Sequence, residues 1–140
     1  MEVIAAEAQI RSLLVNGGML PTGTPVEPAP YDADGTYPAV IYRCMTPNPD
    51  TIEVGGSVVF STLDYLVTVT APGSNAYSLI HIVAAIDNSL RNKGGVNSYG
   101  TVNTITRVRP YSAPYQSKAG NIMQNIGYVY RVRVQGNYNQ

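Results

Sequence analysis

Residues 63–71, Leu-Asp-Tyr-Leu-Val-Thr-Val-Thr-Ala, place the strictest condition on the fold. Leu63, Tyr65, Val67, Val69 and Ala71 alternate with Asp64, Thr68 and Thr70. A two-residue period puts the apolar set on one face of a strand and the polar set on the other. That strand is half-buried, so the remaining chain has to supply neighbouring strands and a layer over its apolar side.

Two amphipathic helices are placed to provide the layer. Residues 2–15 repeat Val3, Ala6, Ile10, Leu13 and Leu14 at helical spacing, with Glu7 and Arg11 as an i,i+4 pair on the other side and Gly17-Gly18 as the stop. After Ala71-Pro72-Gly73, Ser74 is positioned to cap a second helix with the stripe Leu79, Val83, Ile86 and Leu90. Gly94-Gly95 is expected to end it, with Arg91 and Lys93 in the last turn where positive charge suits the helix dipole.

Three more segments read as full strands, and a fourth, short one falls in the stretch after the first of them. Residues 38–45, Pro-Ala-Val-Ile-Tyr-Arg-Cys-Met, are closed by Thr46-Pro47-Asn48-Pro49, and a short strand over 54–60 would be broken by Gly55-Gly56. Residues 101–111 and 126–136 flank a connection rich in Ser, Ala, Gly and Asn that holds Pro114 and Gly120. The order α-β-β-α-β-β predicts an α+β fold with an antiparallel or mixed sheet and both helices on one face. At 140 residues and 44% hydrophobic, residues 1–140 suffice for one domain with a core of its own, without internal repeats.

Between the first helix and the first strand, residues 17–38 hold Pro21, Pro25, Pro28, Pro30 and Pro38 beside Glu27, Asp32 and Asp34. Prolines this dense lack donors for a ladder, which predicts an extended arm lying on a neighbouring subunit or a long surface loop. Charged residues make up 13% of the chain against roughly 25% in an ordinary domain, so much of the surface is neutral. Eleven tyrosines stand beside one phenylalanine and no tryptophan, a balance suited to subunit contacts or to a sheet with one wet face.

Little in the chain is equipped for catalysis. His81 is the sole histidine and Cys44 the sole cysteine, which excludes an internal disulfide and leaves no His-rich or Cys-rich metal set. Asp32-Ala33-Asp34-Gly35 lacks the later ligands of a calcium loop, and the glycine pairs do not have phosphate-loop spacing. No enzymatic activity, cofactor or metal is expected. The formal net charge of +0 gives no overall field toward nucleic acid or membrane. The N-terminal residues do not resemble a secretory signal, and the longest apolar stretches stop short of a membrane span, so a soluble protein is expected.

One constellation asks for an explanation. If 101–111 and 126–136 pair as a hairpin, Val102, Thr104, Thr106 and Val108 share a face with Tyr128, Tyr130, Val132 and Val134, and Arg107, Arg109, Arg131 and Arg133 gather on the other. Like charges on paired strands repel. Such a face is either strongly solvated or covered by carboxylates, for which Glu27, Asp32 and Asp34 are candidates, or by the phosphates of DNA.

In its order and patterning the chain resembles the tail-terminator, or tail-completion, proteins of tailed bacteriophages. The likeness is carried by the opening helix, by Tyr37-Pro38-Ala39-Val40-Ile41-Tyr42, by residues 63–71 running into the helix at 74–90, and by Tyr130-Arg131-Val132-Arg133-Val134. The resemblance implies a sheet with helices on one side, assembled as a hexameric ring in the virion. Such a ring caps the tail tube and joins it to the neck or head-completion protein, with DNA passing through. Other neck, head-closure or tube components are the alternative, and a small hydrolase or ligand-binding domain, which would need His81 or Cys44 beside an acid or base, is a third reading. The proline-rich arm and the long loop between the last two strands depart from the family pattern.

Overall fold

The computed structural model describes residues 2–29, 37–46, 60–73, 79–116, 120 and 122–136. Helix α1 (Glu2–Asn16) is followed by β1 (Val26–Pro28), β2 (Ala39–Cys44) and β3 (Phe60–Pro72). Helix α2 (Ile80–Leu90), β4 (Gly95–Asn97), β5 (Gly100–Ser112), β6 (Tyr115–Gln116) and β7 (Ile122–Gly136) complete the order. The strands form one mixed sheet, β1-β2-β3-β7-β5-β4, with β6 also on β7; every pairing is antiparallel except β1 with β2.

β3 and β7 lie at the centre, registered from Phe60↔Gln135 to Pro72↔Met123. The alternation of 63–71 works as expected on the helix side: Leu63, Tyr65, Val67 and Val69 are buried against Ala5, Ala6, Ile10 and Leu14 of α1 and Ile82, Ile86 and Leu90 of α2. Val40 and Tyr42 of β2 and Tyr130, Val132 and Val134 of β7 complete the same layer. Fully burying each Val, Leu or Ile side chain contributes about 1.5–3 kcal/mol, so this shared face holds the two helices on the sheet.

Three short strands separate the observed order from the expected one. The arm is not free of the ladder: Val26–Pro28 pairs in parallel with β2, where the Val40 N–H donates to the Pro25 carbonyl at 2.8 Å and the Ala29 N–H to the Tyr42 carbonyl at 3.0 Å. Donors alternate sides along a strand, so with Ala29 facing β2 the position of Pro28 faces outward, where a missing N–H costs nothing. β4 and β5 form a tight hairpin in which Asn97 Oδ1 accepts from the N–H groups of Tyr99 and Gly100, at 2.9 and 3.2 Å. Asn97 Nδ2 also donates to the Ala5 carbonyl at 3.0 Å, tying the hairpin to α1.

The ends of α2 differ from expectation. The helix begins at Ile80, with Leu79 in the N-cap position and no side-chain cap; Ser74 lies outside the described residues. It ends at Leu90, before the glycine pair, because Asn92 takes a positive φ of 62° and its N–H donates to the Ile105 carbonyl. Asparagine tolerates that left-handed geometry better than most residues. Arg91 is therefore the C-cap and Lys93 lies beyond the helix. The expected short strand at 54–60 falls, except for Phe60, outside the described residues.

The sheet curls away from the helices. At Gly127 a Cβ would collide with the Val67 carbonyl and approach the Thr68 Cα to 2.7 Å, so only glycine lets β7 press this closely on β3. Past that point Tyr115 of β6 reaches Thr70 of β3, hydroxyl to hydroxyl at 2.8 Å. Leu66, Thr68, Thr70, Met123 and Val129 are consequently buried although they face away from both helices.

Candidate functional site

On the face opposite the helices the strand registers lay side chains out in rows. Arg43 of β2 stands opposite Leu66 of β3, Leu66 opposite Val129 of β7, and Val129 opposite Arg109 of β5. The next row is Asp64, Arg131 and Thr106, and the one after it Thr62, Arg133 and Thr104. Arg131 forks onto Asp64, Nε to Oδ1 at 3.1 Å and Nη2 to Oδ2 at 3.5 Å. The hydrogen bond and the charge of that carboxylate both raise the affinity of the guanidinium for its proton. Beside this pair the turn after β2 is tied to β3: the Met45 N–H donates to the Asp64 carbonyl and the Asp64 N–H to Thr46 Oγ1, both at 2.7 Å. Met45, Thr46, Thr62, Asp64, Arg109, Val129 and Arg131 line an open groove of about 440 Å³.

A second groove, of about 310 Å³, lies where the curl brings Ala29, Ile41 and Arg43 toward Tyr111, Pro114, Tyr115 and Asn125. Two buried polar atoms on this side, Thr68 Oγ1 and Asn125 Oδ1, have no hydrogen-bond partner among the described residues.

Arg107 does not belong with the other three arginines. β5 carries two register shifts, between Val102 and Thr104 and between Arg107 and Arg109, and each adds one residue that reverses the faces of everything after it. Ile105, not Thr104 and Thr106, therefore enters the core, and Arg107 emerges on the helix side opposite Tyr130. There it donates from Nη1 to Asp87 Oδ2 at 3.1 Å and lies 4.8 Å from the centre of the Tyr128 ring. Asp87, buried on α2, also accepts from the Tyr130 hydroxyl at 3.0 Å and faces Arg91 Nε at 3.6 Å. Burial, and then the Asp87 charge, push the Tyr130 phenol far above its ordinary pKa. The face expected to carry four hairpin arginines carries three of them, Arg109, Arg131 and Arg133, joined by Arg43 from β2.

Of the acidic residues expected to cover that face, Glu27 pairs with Ile41 and so shares the face of Arg43, at the β1 edge, while the other two lie outside the described residues. Glu27 sits on β1, three strands from β7, or about 14 Å at 4.8 Å per strand. It also acts on Tyr42, whose phenol is raised by burial, then by Glu7, with a smaller contribution from Glu27. Asp32 and Asp34 lie outside the described residues.

No protein-family model matches the chain, and no curated protein matches it. The fold has a counterpart in a virion. A chain in the solved virion of the native gene transfer agent particle aligns over 95% of this chain and 93% of its own length, with a TM-score of 0.62 and 21% sequence identity. The likeness spans the helices and the sheet together, and it is a likeness of fold.

The remaining reactive side chains stand apart from one another. His81 is exposed on α2. Cys44 is half-buried at the end of β2, its Sγ 3.9 Å from the Thr46 carbonyl oxygen. Among the described residues no three His, Cys, Asp or Glu side chains are grouped to hold a metal ion, and no helix is long and apolar enough to cross a membrane. Asp87 is the residue that sequence reasoning missed. Its signal was its place one position after Ile86 in the apolar stripe, where a carboxylate is bound to enter the edge of the core. For Arg43 the signal was its parity with Ile41, opposite to that of Val40 and Tyr42.

Proposed function

We propose that the protein is a non-enzymatic structural component of a phage or phage-like particle, and that it acts as a tail terminator. In this role copies of the chain close into a ring, hexameric by the family resemblance, that caps the tail tube and docks to the neck or head-completion protein. The observation that carries the reading is the near end-to-end likeness to a virion chain, which is hard to reconcile with a borrowed fragment because both chains are covered almost entirely. A closed ring needs two different complementary surfaces on each subunit. The chain offers apolar side chains in separate places for that purpose: Ile4 and Val15 on α1, Ile80 on α2, Val96 at the β4 edge and Ile122 at the start of β7 are all exposed.

The test is native mass spectrometry and negative-stain imaging of the purified full-length protein, alone and mixed with isolated tail tubes. The terminator reading expects a closed ring in one of the two samples, seated on tube ends. Attachment to isolated necks but not to tubes would move the role to a head-closure component. A protein that stays monomeric in both samples and binds neither particle refutes the proposal.

A further inference from the structure

We propose that the helix-free face of the sheet binds the phosphate backbone of nucleic acid, with Arg43 and Arg109 as the phosphate-contacting groups and Arg131 held between them by Asp64. The chain as a whole is formally neutral. Among the described residues, however, this face collects Arg43, Arg109, Arg131 and Arg133 against two carboxylates, Asp64 beside Arg131 and Glu27 out on the β1 edge opposite Ile41. A neutral chain that concentrates its positive charge on one concave surface has built a local field that its overall charge conceals.

Two features favour phosphate over an acidic protein surface. Arg43 and Arg109 are exposed at the two ends of one cross-strand row, and neither has a partner among the described residues, so their guanidinium donors remain available. Leu66 and Val129 between them are buried, and the flanking positions include the hydroxyls of Thr46, Thr62, Thr104 and Thr106, which can donate to phosphate oxygens. Backbone contact of this kind positions nucleic acid without reading its sequence. The assignment does not depend on ring formation, since the row lies within one subunit.

The experiment is fluorescence anisotropy of short duplex DNA titrated with full-length protein over a series of salt concentrations, with polyglutamate as a second probe. Wild-type protein is expected to bind DNA of unrelated sequences alike, with log K falling linearly against log salt. Arg43→Gln and Arg109→Gln should each lower the slope by about one. Arg11→Gln, the same charge change on the exposed side of α1, should leave it unaltered. All three side chains are exposed, and thermal unfolding of each variant checks that the fold is kept. The proposal is overturned by an absence of binding at low salt, by slopes that ignore Arg43 and Arg109, or by an equal loss in Arg11→Gln. Polyglutamate that binds as tightly as DNA and displaces it would reassign the face to an acidic protein partner. Lost DNA binding in a protein that still caps tubes refutes this inference alone, and retained binding in a protein that never caps tubes refutes only the terminator role.

Discussion

Replacing Tyr130 by phenylalanine isolates the polar contact that fastens α2 to the sheet. The ring is fully buried and its hydroxyl donates to Asp87 Oδ1, so Tyr130→Phe keeps the packing and removes one donor from a buried carboxylate. A hydrogen bond to a charged group is worth about 1.5–3 kcal/mol. Arg107 and Arg91 still face Asp87 from partly exposed positions, with side chains 38% and 47% exposed, so the carboxylate keeps some compensation and the loss should fall near the lower end, about 1.5–2 kcal/mol. Asp87→Ala should cost more, about 3 kcal/mol, because it strands the Tyr130 hydroxyl and leaves both guanidinium groups to solvent. The double variant should lose less than the two single losses together, with a coupling of about 1–2 kcal/mol. Urea unfolding followed by far-UV circular dichroism measures all four proteins. Without tryptophan the fluorescence change would be small. A Tyr130→Phe protein within about 0.5 kcal/mol of wild type, with additive double-variant losses, would refute the argument, because solvent would then be serving Asp87 as well as Tyr130 does.

Three further outcomes are expected. Tyr130 and Tyr42 both have phenol pKa values raised in the fold, so the folded state holds protons that the unfolded chain gives up: stability should be intact below about pH 10 and fall as pH rises beyond it, with the decline shallower in Tyr130→Phe by alkaline urea unfolding. Gly127→Ala forces a Cβ against the Val67 carbonyl and should lose about 1–3 kcal/mol, read as a lower midpoint in thermal unfolding; an unchanged midpoint would mean the curl relaxes freely. Asn97→Ala removes two bonds within the β4–β5 hairpin and one to α1, and a loss of about 1–2 kcal/mol in the same measurement is expected, with faster amide exchange confined to 95–102.

Local patterning was enough to place α1, β2, β3, the body of α2, and the paired strands β5 and β7, because each has a period that a single element must satisfy. Leu63, Tyr65, Val67 and Val69 can be sorted to one side by counting in twos, and Leu79, Ile86 and Leu90 by helical turns. What counting could not supply was anything that depends on a partner chain segment. Val26–Pro28 is a strand only because β2 lies beside it. The two bulges in β5 exist because β7 fixes the register on either side, although the odd spacing of Val102 and Ile105, both buried, already conflicts with an unbroken strand. Those bulges decide which arginines share a face: a one-residue shift sends every later side chain to the opposite side of a sheet. Arg107 thus became a partner of buried Asp87, while Arg43, read only as part of the 38–45 strand beside Cys44, joined Arg109, Arg131 and Arg133. The sequence determined which segments are strands and helices, since that is a matter of local period and breakers. Only the tertiary structure decided which side chains meet, since register is set by contacts between residues far apart in the chain.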